Sequence, residues 1–570
     1  MRILLLVHGF NSLSQRLFVE LRDDGHDVTV EFDINDGTLR KAVELFAPDV
    51  ILAPFLKRAI PADVWQNHLC LIVHPGVIGD RGPSALDWAI LEGKGNWGVT
   101  VLQAKAEMDA GPIWASETFP VRRASKSSIY RTELTEAALV AVRKAIAGIQ
   151  TPEFTPRPLD YSAPDVTGRL REAMVQADRR INWANDTSED VLRKIHSSDG
   201  VPGVLSNIAG KSVFLHDARP AHGLTGTAGE VIATSGTAVC VGTQDGAIWI
   251  GHARDPKGEA TFKLPTTRVL SGSLTEVPEI PIDAEQGYQE IAYSERGPVG
   301  TLRFDFYNGA MSSEQCARLL AAYEMALTRS TQVLILAGGS DFWSNGIHLN
   351  IIEAADNAAE ESWRNINAMD DLAEAIIRTE SHLTIAAMGG NSGAGGVFLA
   401  RACDLLWMRG PVIVNPHYKD MGNLYGSEFW TYLLPRHCGG ENARRITQQR
   451  LPMAAKEALA LGLADAVFAQ SKVDFDAEVA KRADELANAP EYADRLRAKS
   501  DQRQADEQEK PLSAYRDEEL SCMRRNFYGF DTSYHIARSD FVRKTKKSRT
   551  PVTLARHRDK SWQQTDRKAS

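Results

Sequence analysis

The sequence has 570 residues, too many for one hydrophobic core, and so predicts two to four domains. Hydrophobic residues make up 43% and charged residues 24%, so most of the chain is expected to fold. The formal net charge of -9 argues against a general nucleic-acid-binding protein, which needs a basic surface. The six cysteines are scattered without a CxxC pair, which favours free thiols in a reducing compartment over disulfides or a zinc site.

The first apolar run, Ile3–Val7, is shorter than the apolar segment of a signal peptide and predicts a buried strand instead. Nowhere else is an apolar stretch long enough to span a bilayer. We therefore expect a cytoplasmic protein that acts on small molecules, with no membrane, nucleic-acid or metal partner.

Strands and helices alternate over residues 1–160. The predicted elements are strand Ile3–Val7, helix Ser14–Asp24, strand Val28–Phe32, helix Leu39–Leu45 and strand Val50–Ala53. This alternation predicts a doubly wound, mostly parallel sheet with its site at the carboxyl ends of the strands. The loop after the first strand contains no GxGxxG motif, which argues against a dinucleotide site.

The pattern changes over residues 161–275, where short alternating segments are separated by glycines. A helix is predicted at Ser188–His196, followed by strands at Ser212–His216, Gly229–Ala233, Ala238–Gly242 and Ala247–Gly251. These segments predict a small antiparallel barrel. A stretch containing proline and acidic residues, Thr275–Glu285, is expected to be a linker.

A second α/β region covers residues 285–540. Its clearest elements are the strands Thr301–Phe306 and Val333–Ala337, with the helix Ser313–Thr328 between them. The last thirty residues carry ten Lys/Arg and two Asp and few apolar residues. Residues 541–570 are therefore expected to form a basic, disordered tail.

A first candidate site lies where the apolar strand Leu69–Val73 leads into His74. In doubly wound sheets, residues at the carboxyl ends of strands face the ligand. About thirty residues later, a turn offers Asp109. An aspartate can orient and charge-stabilise an imidazole, which then acts as a base toward an incoming nucleophile. The alternative interpretation is a structural histidine beside a proline.

The stretch HPGVIGDRGPSALDWAIL, which begins at His74, resembles the HPxxLPxxRGxxPxxWAI motif of enzymes that use 10-formyltetrahydrofolate, such as methionyl-tRNA formyltransferase. Asp109 in MDAG matches the aspartate of that family's LDxG motif. The resemblance covers about residues 1–270. It implies a formyltransferase-like N-terminal domain over 1–160 and that family's C-terminal, β-barrel domain over 161–275.

The resemblance also implies that 10-formyltetrahydrofolate is a substrate and that His74 and Asp109 are catalytic. The loop expected to line the folate site includes Ile72, Pro75, Arg81 and Gly82. One departure affects the chemistry, because the family has an asparagine at the position of Ile72, where it helps to hold the formyl oxygen. An aliphatic side chain cannot polarise a carbonyl as a carboxamide does.

Two loops rich in glycine mark a second candidate site. They are FWSNGIHL, from Phe342 to Leu349, and AAMGGNSGAGGVFLARACD, from Ala386 to Asp404. Glycines let backbone N–H groups approach an oxygen closely, and a helix that starts near Gly396 adds its positive end. Two such loops can supply a two-donor oxyanion hole for a thioester carbonyl. The alternative is that the glycines serve only turns and close packing.

Together the loops resemble those of the crotonase (enoyl-CoA hydratase/isomerase) superfamily, FSAGxDL and AAVNGxALGGGxELALACD. The resemblance spans about residues 290–470 and implies a crotonase-like α/β spiral domain over 285–540 that binds coenzyme A. It also implies that the N–H groups of Ile347 and Gly395 form the oxyanion hole, beside Gly346 and Gly396.

Both catalytic glutamates of that superfamily are missing. Phe398 and Tyr418 occupy their positions, and His348 replaces the common aspartate of the first loop. Hydration of a double bond needs paired carboxylates to move protons, so simple enoyl-CoA hydration is not expected. Tyr418 and Glu428 offer a different acid–base pair; the alternative for Glu428 is a solvated loop carboxylate.

The whole chain is thus expected to be an α/β multidomain protein with a doubly wound formyltransferase-like sheet, a small OB-like β-barrel domain and a crotonase-like domain. This order and these substitutions resemble a family of NiFe-hydrogenase maturation proteins that make the carbon monoxide ligand from formyl-folate. The resemblance implies formyl transfer to coenzyme A, decarbonylation of formyl-CoA, and hydrogenase maturation proteins as partners. Two alternatives stay open: formylation of another amine, with the crotonase half as an accessory, or a non-catalytic scaffold that delivers a one-carbon ligand.

Overall fold

The structure, a computed structural model, describes residues 1–559. The chain divides into two compact units. Unit 1 comprises Met1–Glu259, Pro265–Ile280 and the described residues from Lys546 on, and unit 2 comprises Ala260–Leu264 and Pro281–Thr545. No helix among the described residues is both long and apolar enough to cross a membrane.

Unit 1 begins with an α/β domain built on a six-stranded sheet. Its strands are β1 Arg2–Val7, β2 Asp27–Phe32, β3 Val50–Phe55, β4 Cys70–His74, β5 Asn96–Gln103 and β6 Ile113–Pro120. Its helices are α1 Ser12–Asp23, α2 Asp36–Phe46, α3 Ala62–Trp65, α4 Ala85–Leu91, α5 Lys126–Ile129 and α6 Thr135–Ile149.

The sheet order is β2-β1-β3-β4-β5-β6, in which the first four strands are parallel and the last two antiparallel. The apolar residues that predicted the first strands are almost completely buried, as in a sheet covered on both faces. Asparagines cap the first two helices, Asn11 accepting from the Ser14 N–H and Asn35 from the Thr38 N–H. The predicted doubly wound sheet is confirmed, with an added antiparallel edge.

The second part of unit 1 is mainly antiparallel. Its elements are α7 Ser188–Ser197, β7 Val204–Ile208, β8 Lys211–Pro220, β9 Val231–Ser235, β10 Ala238–Gly242, β11 Ala247–Arg254 and α8 Thr266–Val269; the two-residue strand β12, Leu264–Pro265, falls where the division between the units cuts the chain. The main strand order is β7-β8-β11-β10-β9. Alternate residues of these strands pack against α7 through Val191 and Ile195, forming a separate hydrophobic core. The OB-like topology stays a prediction.

Unit 2 is built on the sheet β13-β14-β15-β16-β18-β21, whose strands are parallel except for the first pair. Its strands are β13 Ile291–Arg296, β14 Val299–Phe304, β15 Val333–Ala337, β16 Leu383–Met388, β17 Ser392–Gly393, β18 Leu405–Arg409, β19 Ile413–Asn415, β20 Met453–Ala454 and β21 Ala466–Phe468. Its helices are α9 Ser313–Leu327, α10 Leu349–Glu353, α11 Ala358–Ile377, α12 Gly395–Arg401, α13 Trp430–Gln448, α14 Ala455–Ala460, α15 Lys472–Ala487, α16 Tyr492–Glu509, α17 Leu512–Tyr528 and α18 Ser533–Arg543.

The helices α9, α11, α12 and α17 enclose one large core with the sheet, centred on buried side chains such as Trp343, Phe398 and Phe429. Helix α9 starts at the capping box of Ser312 and Gln315, and it ends one residue before the predicted boundary. The short strands β17, β19 and β20 form a separate small sheet beside the second glycine-rich loop. The core therefore supports both glycine-rich loops and the segment around Glu428.

The prediction of a disordered tail from residue 541 is wrong for residues 541–559; residues 560–570 lie outside the described part. Helix α18 continues to Arg543, and residues 550–558, here called the C-terminal arm, pack on β2 within unit 1. The arm buries Leu554, Ala555 and His557. Composition misled because the polar residues of the arm contact one buried carboxylate, that of Glu31, in addition to this burial.

Candidate functional site

His74 is the last residue of β4 and is buried, at the carboxyl end of the parallel part of the first sheet. Its Nε2 lies 2.9 Å from Oδ2 of Asp80, which is also buried. Gly76 permits this contact, since a Cβ there would lie 2.5 Å from both of these atoms. The histidine is therefore tied to an aspartate of its own loop.

Asp109 approaches the other side of the same imidazole. Its Oδ2 lies 3.5 Å from Nδ1 of His74, beyond a good hydrogen bond, and accepts a hydrogen bond from the Gly82 N–H at 3.2 Å. The backbone of Asp109 is left-handed, with φ of 53°, a conformation that aspartate tolerates better than most residues. The predicted pair of His74 and Asp109 is thus brought together, with Asp80 as a nearer carboxylate that sequence analysis missed.

The predicted folate-site loop is anchored at several points. The Arg81 guanidinium donates to the Met108 carbonyl at 2.9 Å and pairs with Glu107, so it ties the loop to the turn that carries Asp109. The Pro75 carbonyl accepts from the Trp97 indole at 2.9 Å.

Ile72 lies two residues before His74 on β4, on the same face of the strand. Its half-buried side chain packs against the hydrophobic core under that face. It brings no hydrogen-bonding group to the place where the family has an asparagine. What this first site offers is therefore one imidazole between two carboxylates, an arrangement suited to accepting a proton and returning it.

The two glycine-rich loops of unit 2 meet at Gly346 and Gly395, since a Cβ on Gly346 would lie 3.4 Å from the Gly395 backbone nitrogen. Gly395 is the first residue of α12, so its N–H has no partner inside the helix. Neither the Ile347 N–H nor the Gly395 N–H finds a hydrogen-bond acceptor within residues 1–559. Two free donors next to each other are what an oxyanion hole requires.

Gly396 packs tightly behind this hole, because a Cβ there would lie 2.1 Å from the Ser344 carbonyl oxygen. The residue before the hole, Ala394, has φ of 47° and ψ of -130°, a conformation usually left to glycine. His348, in the first loop, accepts from the Ile351 N–H with its side chain and so caps α10.

Glu428 and Tyr418 form a hydrogen-bonded pair beside the hole. The Tyr418 hydroxyl donates to Oε2 of Glu428 at 2.5 Å, and its ring stacks on Phe398 with centroids 5.5 Å apart. The Glu428 side chain lies against Gly395, where a Cβ would be only 2.0 Å from Oε1. Glu428 is 1% exposed, so it is not a solvated loop carboxylate.

The environment alters the acidity of both groups. Burial, the nearby Asp370 and Glu519 all raise the pKa of Glu428, and the hydrogen bond from Tyr418 opposes them. Burial and the Glu428 carboxylate raise the pKa of Tyr418 well above its ordinary value, so the phenol stays a donor. A carboxyl group whose pKa is moved toward neutrality can both take and return a proton.

Glu428 sits in a turn with unusual backbone geometry. It and the next residue, Phe429, both have left-handed backbones, with φ of 60° and 59°. Such a conformation costs about 1–2 kcal/mol for each non-glycine residue, so tertiary contacts must stabilise the pair. Nothing in the sequence signals this turn, because neither residue is glycine or asparagine.

Among the described residues, no group of three or more His, Cys, Asp or Glu side chains is arranged to hold a metal ion. The six cysteines are free thiols.

Comparison with known proteins places these sites in one family. A family model for formyl transferases matches residues 31–145, one for the formyl transferase C-terminal domain matches 173–262, and one for enoyl-CoA hydratase/isomerase matches 302–532. A methionyl-tRNA formyltransferase of Anaeromyxobacter dehalogenans is 25% identical over 37% of this chain and 68% of its own.

Much longer matches cover both units. The hydrogenase maturation factor HoxX of Bradyrhizobium diazoefficiens is 54% identical over 98% of this chain and 97% of its own. A crystal structure of HypX from Aquifex aeolicus in complex with tetrahydrofolic acid is 46% identical, covers 98% of this chain and 99% of its own, and superposes with a TM-score of 0.94. A crystal structure of a variant of the same Aquifex protein covers 99% of this chain and 100% of its own, with a TM-score of 0.95. This chain therefore belongs to the HypX/HoxX family of hydrogenase maturation factors.

Proposed function

We propose that this chain makes carbon monoxide for a NiFe-hydrogenase in two steps. The formyl group moves from 10-formyltetrahydrofolate to coenzyme A, and formyl-CoA is then split into carbon monoxide and coenzyme A. The observation that carries the proposal is the buried Tyr418–Glu428 pair against Gly395, in a crotonase-like site without the hydratase glutamates. The tetrahydrofolic acid bound by the Aquifex relative supports folate as the one-carbon donor.

In the first step, His74 takes the proton of the coenzyme A thiol, and the sulfur forms a bond to the formyl carbon. The bond between that carbon and the folate nitrogen then breaks, and His74 returns the proton to the nitrogen. Asp80 and Asp109, which flank the imidazole, stabilise its charged form during this exchange. Since Ile72 offers no hydrogen bond to the formyl oxygen, His74 and these aspartates carry the step.

In the second step, the N–H groups of Ile347 and Gly395 polarise the formyl thioester carbonyl. A formyl thioester has no α-carbon, so the enolate chemistry of other crotonases cannot occur on it. Glu428 removes the formyl proton, the carbon–sulfur bond breaks with its electrons on sulfur, and carbon monoxide leaves. Glu428 then protonates the thiolate, which restores coenzyme A and the carboxylate, and Tyr418 holds that carboxylate in place throughout.

The test is to incubate the purified full chain with 10-formyltetrahydrofolate and coenzyme A and to follow carbon monoxide by haemoglobin binding. We expect gas that depends on both substrates, and no gas from folded protein would contradict the proposal. Folate turnover with an amine and no coenzyme A would instead indicate an amine formyltransferase. Tight binding to a hydrogenase maturation protein without any folate turnover would indicate a scaffold.

A further inference from the structure

The turn that carries Glu428 is held by two buried carboxylates from two different helices. Asp370, on α11, accepts from the Glu428 N–H at 2.8 Å and from the Ser427 hydroxyl at 2.7 Å. Glu519, on α17, accepts from the Phe429 N–H at 3.0 Å. Both carboxylates and Ser427 are completely buried.

Glu519 also binds Thr431, the second residue of α13. Its other oxygen accepts from the Thr431 N–H at 2.8 Å and from the Thr431 hydroxyl at 2.5 Å. The two carboxylates thus bind three backbone N–H groups across residues 428–431, including those of both left-handed residues. An ionised carboxylate, which only accepts, matches a row of N–H donors.

We propose that Asp370 and Glu519 are positioning residues for decarbonylation: they stabilise the left-handed turn at Glu428 and Phe429 and so hold the Glu428 carboxylate against Gly395. This inference rests on the proposed function of Glu428. Without the two carboxylates, the backbone of this turn loses the partners that offset its strain, and the Glu428 side chain moves away from the oxyanion hole. Neither residue belongs to a motif of the sequence.

The same two carboxylates also surround Glu428 with negative charge. The ionisable groups around Glu428 are Asp370, Glu519, Tyr418 and Cys316. Two further groups, Arg516 and Asp371, act on Asp370. Arg516 itself pairs with two exposed or half-exposed carboxylates on α11, Asp371 and Glu374. None of the three buried carboxylates has an ion-pair partner within the described residues.

Burial raises the pKa of all three acids, that of Glu519 to about 8, and the charge of Asp370 raises the pKa of Glu428 and Glu519 further. Glu428 must be ionised to take the formyl proton, so the rate rises with pH as Glu428 loses its own proton. Removing the charge of Asp370 lowers the pKa of Glu428 and moves this rise to lower pH. A residue with a purely structural role would not move it.

The experiment supplies formyl-CoA directly to the full chain and measures carbon monoxide release against pH. Asp370→Asn keeps an oxygen for the Glu428 N–H, so we expect this variant to stay active. The rise of its rate with pH, here called the acid limb, should lie at lower pH than in the wild type. Asp370→Ala removes that acceptor, and we expect a loss on the order of 10²-fold at every pH, the cost of a misplaced catalytic group. Asp371→Asn makes the same charge change on the same helix, outside the turn, and is expected to leave the rate nearly unchanged.

Glu519→Gln is the parallel test on α17, since its amide would place a donor against an N–H and loosen the turn. Thermal unfolding of each variant identifies any that fails to fold. An Asp370→Ala variant with the wild-type rate, or an Asp370→Asn variant with an unmoved acid limb, overturns the proposal.

A readout without turnover separates this inference from the proposed function. The infrared carboxyl band that disappears in Glu428→Gln reports the titration of Glu428, and a crystal structure reports its position against Gly395. We expect Asp370→Asn to shift that titration to lower pH and Asp370→Ala to displace the side chain. If the wild type releases no carbon monoxide from formyl-CoA, the proposed function fails, and these two measurements still decide whether Asp370 positions Glu428.

Discussion

The Tyr418 hydroxyl donates to the Glu428 carboxylate at 2.5 Å while the Tyr418 ring stacks on Phe398. The two residues that replace the superfamily's glutamates thus contact each other, one as a packing surface and the other as a donor. A glutamate at position 398 would be an additional buried acid beside Tyr418, the residue that binds the Glu428 carboxylate. The change from two glutamates to this arrangement leaves one carboxylate aimed at the hole.

Tyr418→Phe removes the only hydrogen bond that Tyr418 gives to Glu428 while keeping the ring that stacks on Phe398. Because this bond favours the ionised form, its loss raises the pKa of Glu428 and moves the acid limb to higher pH. We expect carbon monoxide release from formyl-CoA to fall by about tenfold or more at neutral pH. Tyr323→Phe, a buried tyrosine bonded to Thr379, is the matched control. Equal gas from Tyr418→Phe would remove the hydroxyl from the mechanism.

His74→Ala is expected to separate the two steps. The variant should make no carbon monoxide from 10-formyltetrahydrofolate and coenzyme A, yet release it normally from added formyl-CoA, because His74 acts only in the transfer. Glu428→Gln should release carbon monoxide from neither mixture, yet should still release tetrahydrofolate, because Glu428 acts only in the second step. Loss of both activities in a folded His74→Ala protein would contradict the division of labour between the sites.

The two aspartates around His74 are expected to differ in their effect. Asp80 is within hydrogen-bond distance of the imidazole at 2.9 Å, whereas Asp109 is 3.5 Å away. Asp80→Asn should therefore slow formyl transfer at least as much as Asp109→Asn, each by about 10²-fold or more. Steady-state release of tetrahydrofolate measures the step. A silent Asp80→Asn variant would show that the nearer carboxylate only packs the loop.

Gly395→Ala is expected to abolish decarbonylation without unfolding the protein. The new Cβ would lie 2.0 Å from Oε1 of Glu428, so the carboxylate must move away from its place beside the oxyanion hole. Gly440→Ala, where a Cβ meets nothing within 4 Å, is the control glycine in unit 2. Rates with formyl-CoA and thermal unfolding together distinguish a displaced Glu428 from a general loss of structure; wild-type rates in Gly395→Ala would contradict the geometry proposed here.

The C-terminal arm is expected to stabilise unit 1 through Glu31. Burial alone would raise the pKa of Glu31, but hydrogen bonds from His557, Thr550 and Arg558 outweigh it and leave the pKa below its ordinary value. A carboxylate whose pKa is lower in the folded protein stabilises the fold at pH values above its unfolded pKa, which is near 4.5. This stabilisation is lost as the pH falls through the pKa of the folded state.

A chain that ends before Thr550 should therefore unfold at a lower temperature than one that ends at Asp559, which retains the arm. This difference in unfolding temperature should be largest at neutral pH and should decrease below about pH 4.5. Glu31→Gln leaves the Arg558 guanidinium facing a neutral group and should cost about 3–5 kcal/mol of unfolding free energy. Differential scanning calorimetry measures both, and equal melting temperatures for the two chain lengths would rule out a stabilising arm.

Much of this architecture could be predicted from local pattern. The first strands, helix α9 and both glycine-rich loops follow from apolar periodicity and from glycine spacing, which act over a few residues. Tyr418 and Glu428 could be named as candidates because a resemblance showed that Phe398 and Tyr418 occupy the positions of the missing glutamates; the chemical role of the pair stays a prediction. Their burial and their contact remained open until the fold placed the turn.

What could not be predicted depends on residues far apart in the chain. Asp370 and Glu519 reach the Glu428 turn from helices 58 and 91 positions away, and nothing in their own segments marks them. Asp80 was close in sequence to His74, but only the path of the loop made it the nearest carboxylate. The arm was misjudged because composition counts the charge of Arg558 without showing that a buried acid, Glu31, would pair with it.

The arm also has a consequence for how the chain is made. It donates and accepts hydrogen bonds along β2, the edge strand of the first sheet, with Leu554 accepting from the Val30 N–H and Thr550 from the Phe32 N–H. Thr29 and its partner Leu554 are separated by 525 residues. At about 5–20 residues per second, the ribosome needs roughly 25–105 s after it has made β2 to synthesise the C-terminal arm, which covers this edge. During that interval the nascent first domain exposes an open strand, and this period of synthesis is when pairing with another chain would compete with native folding.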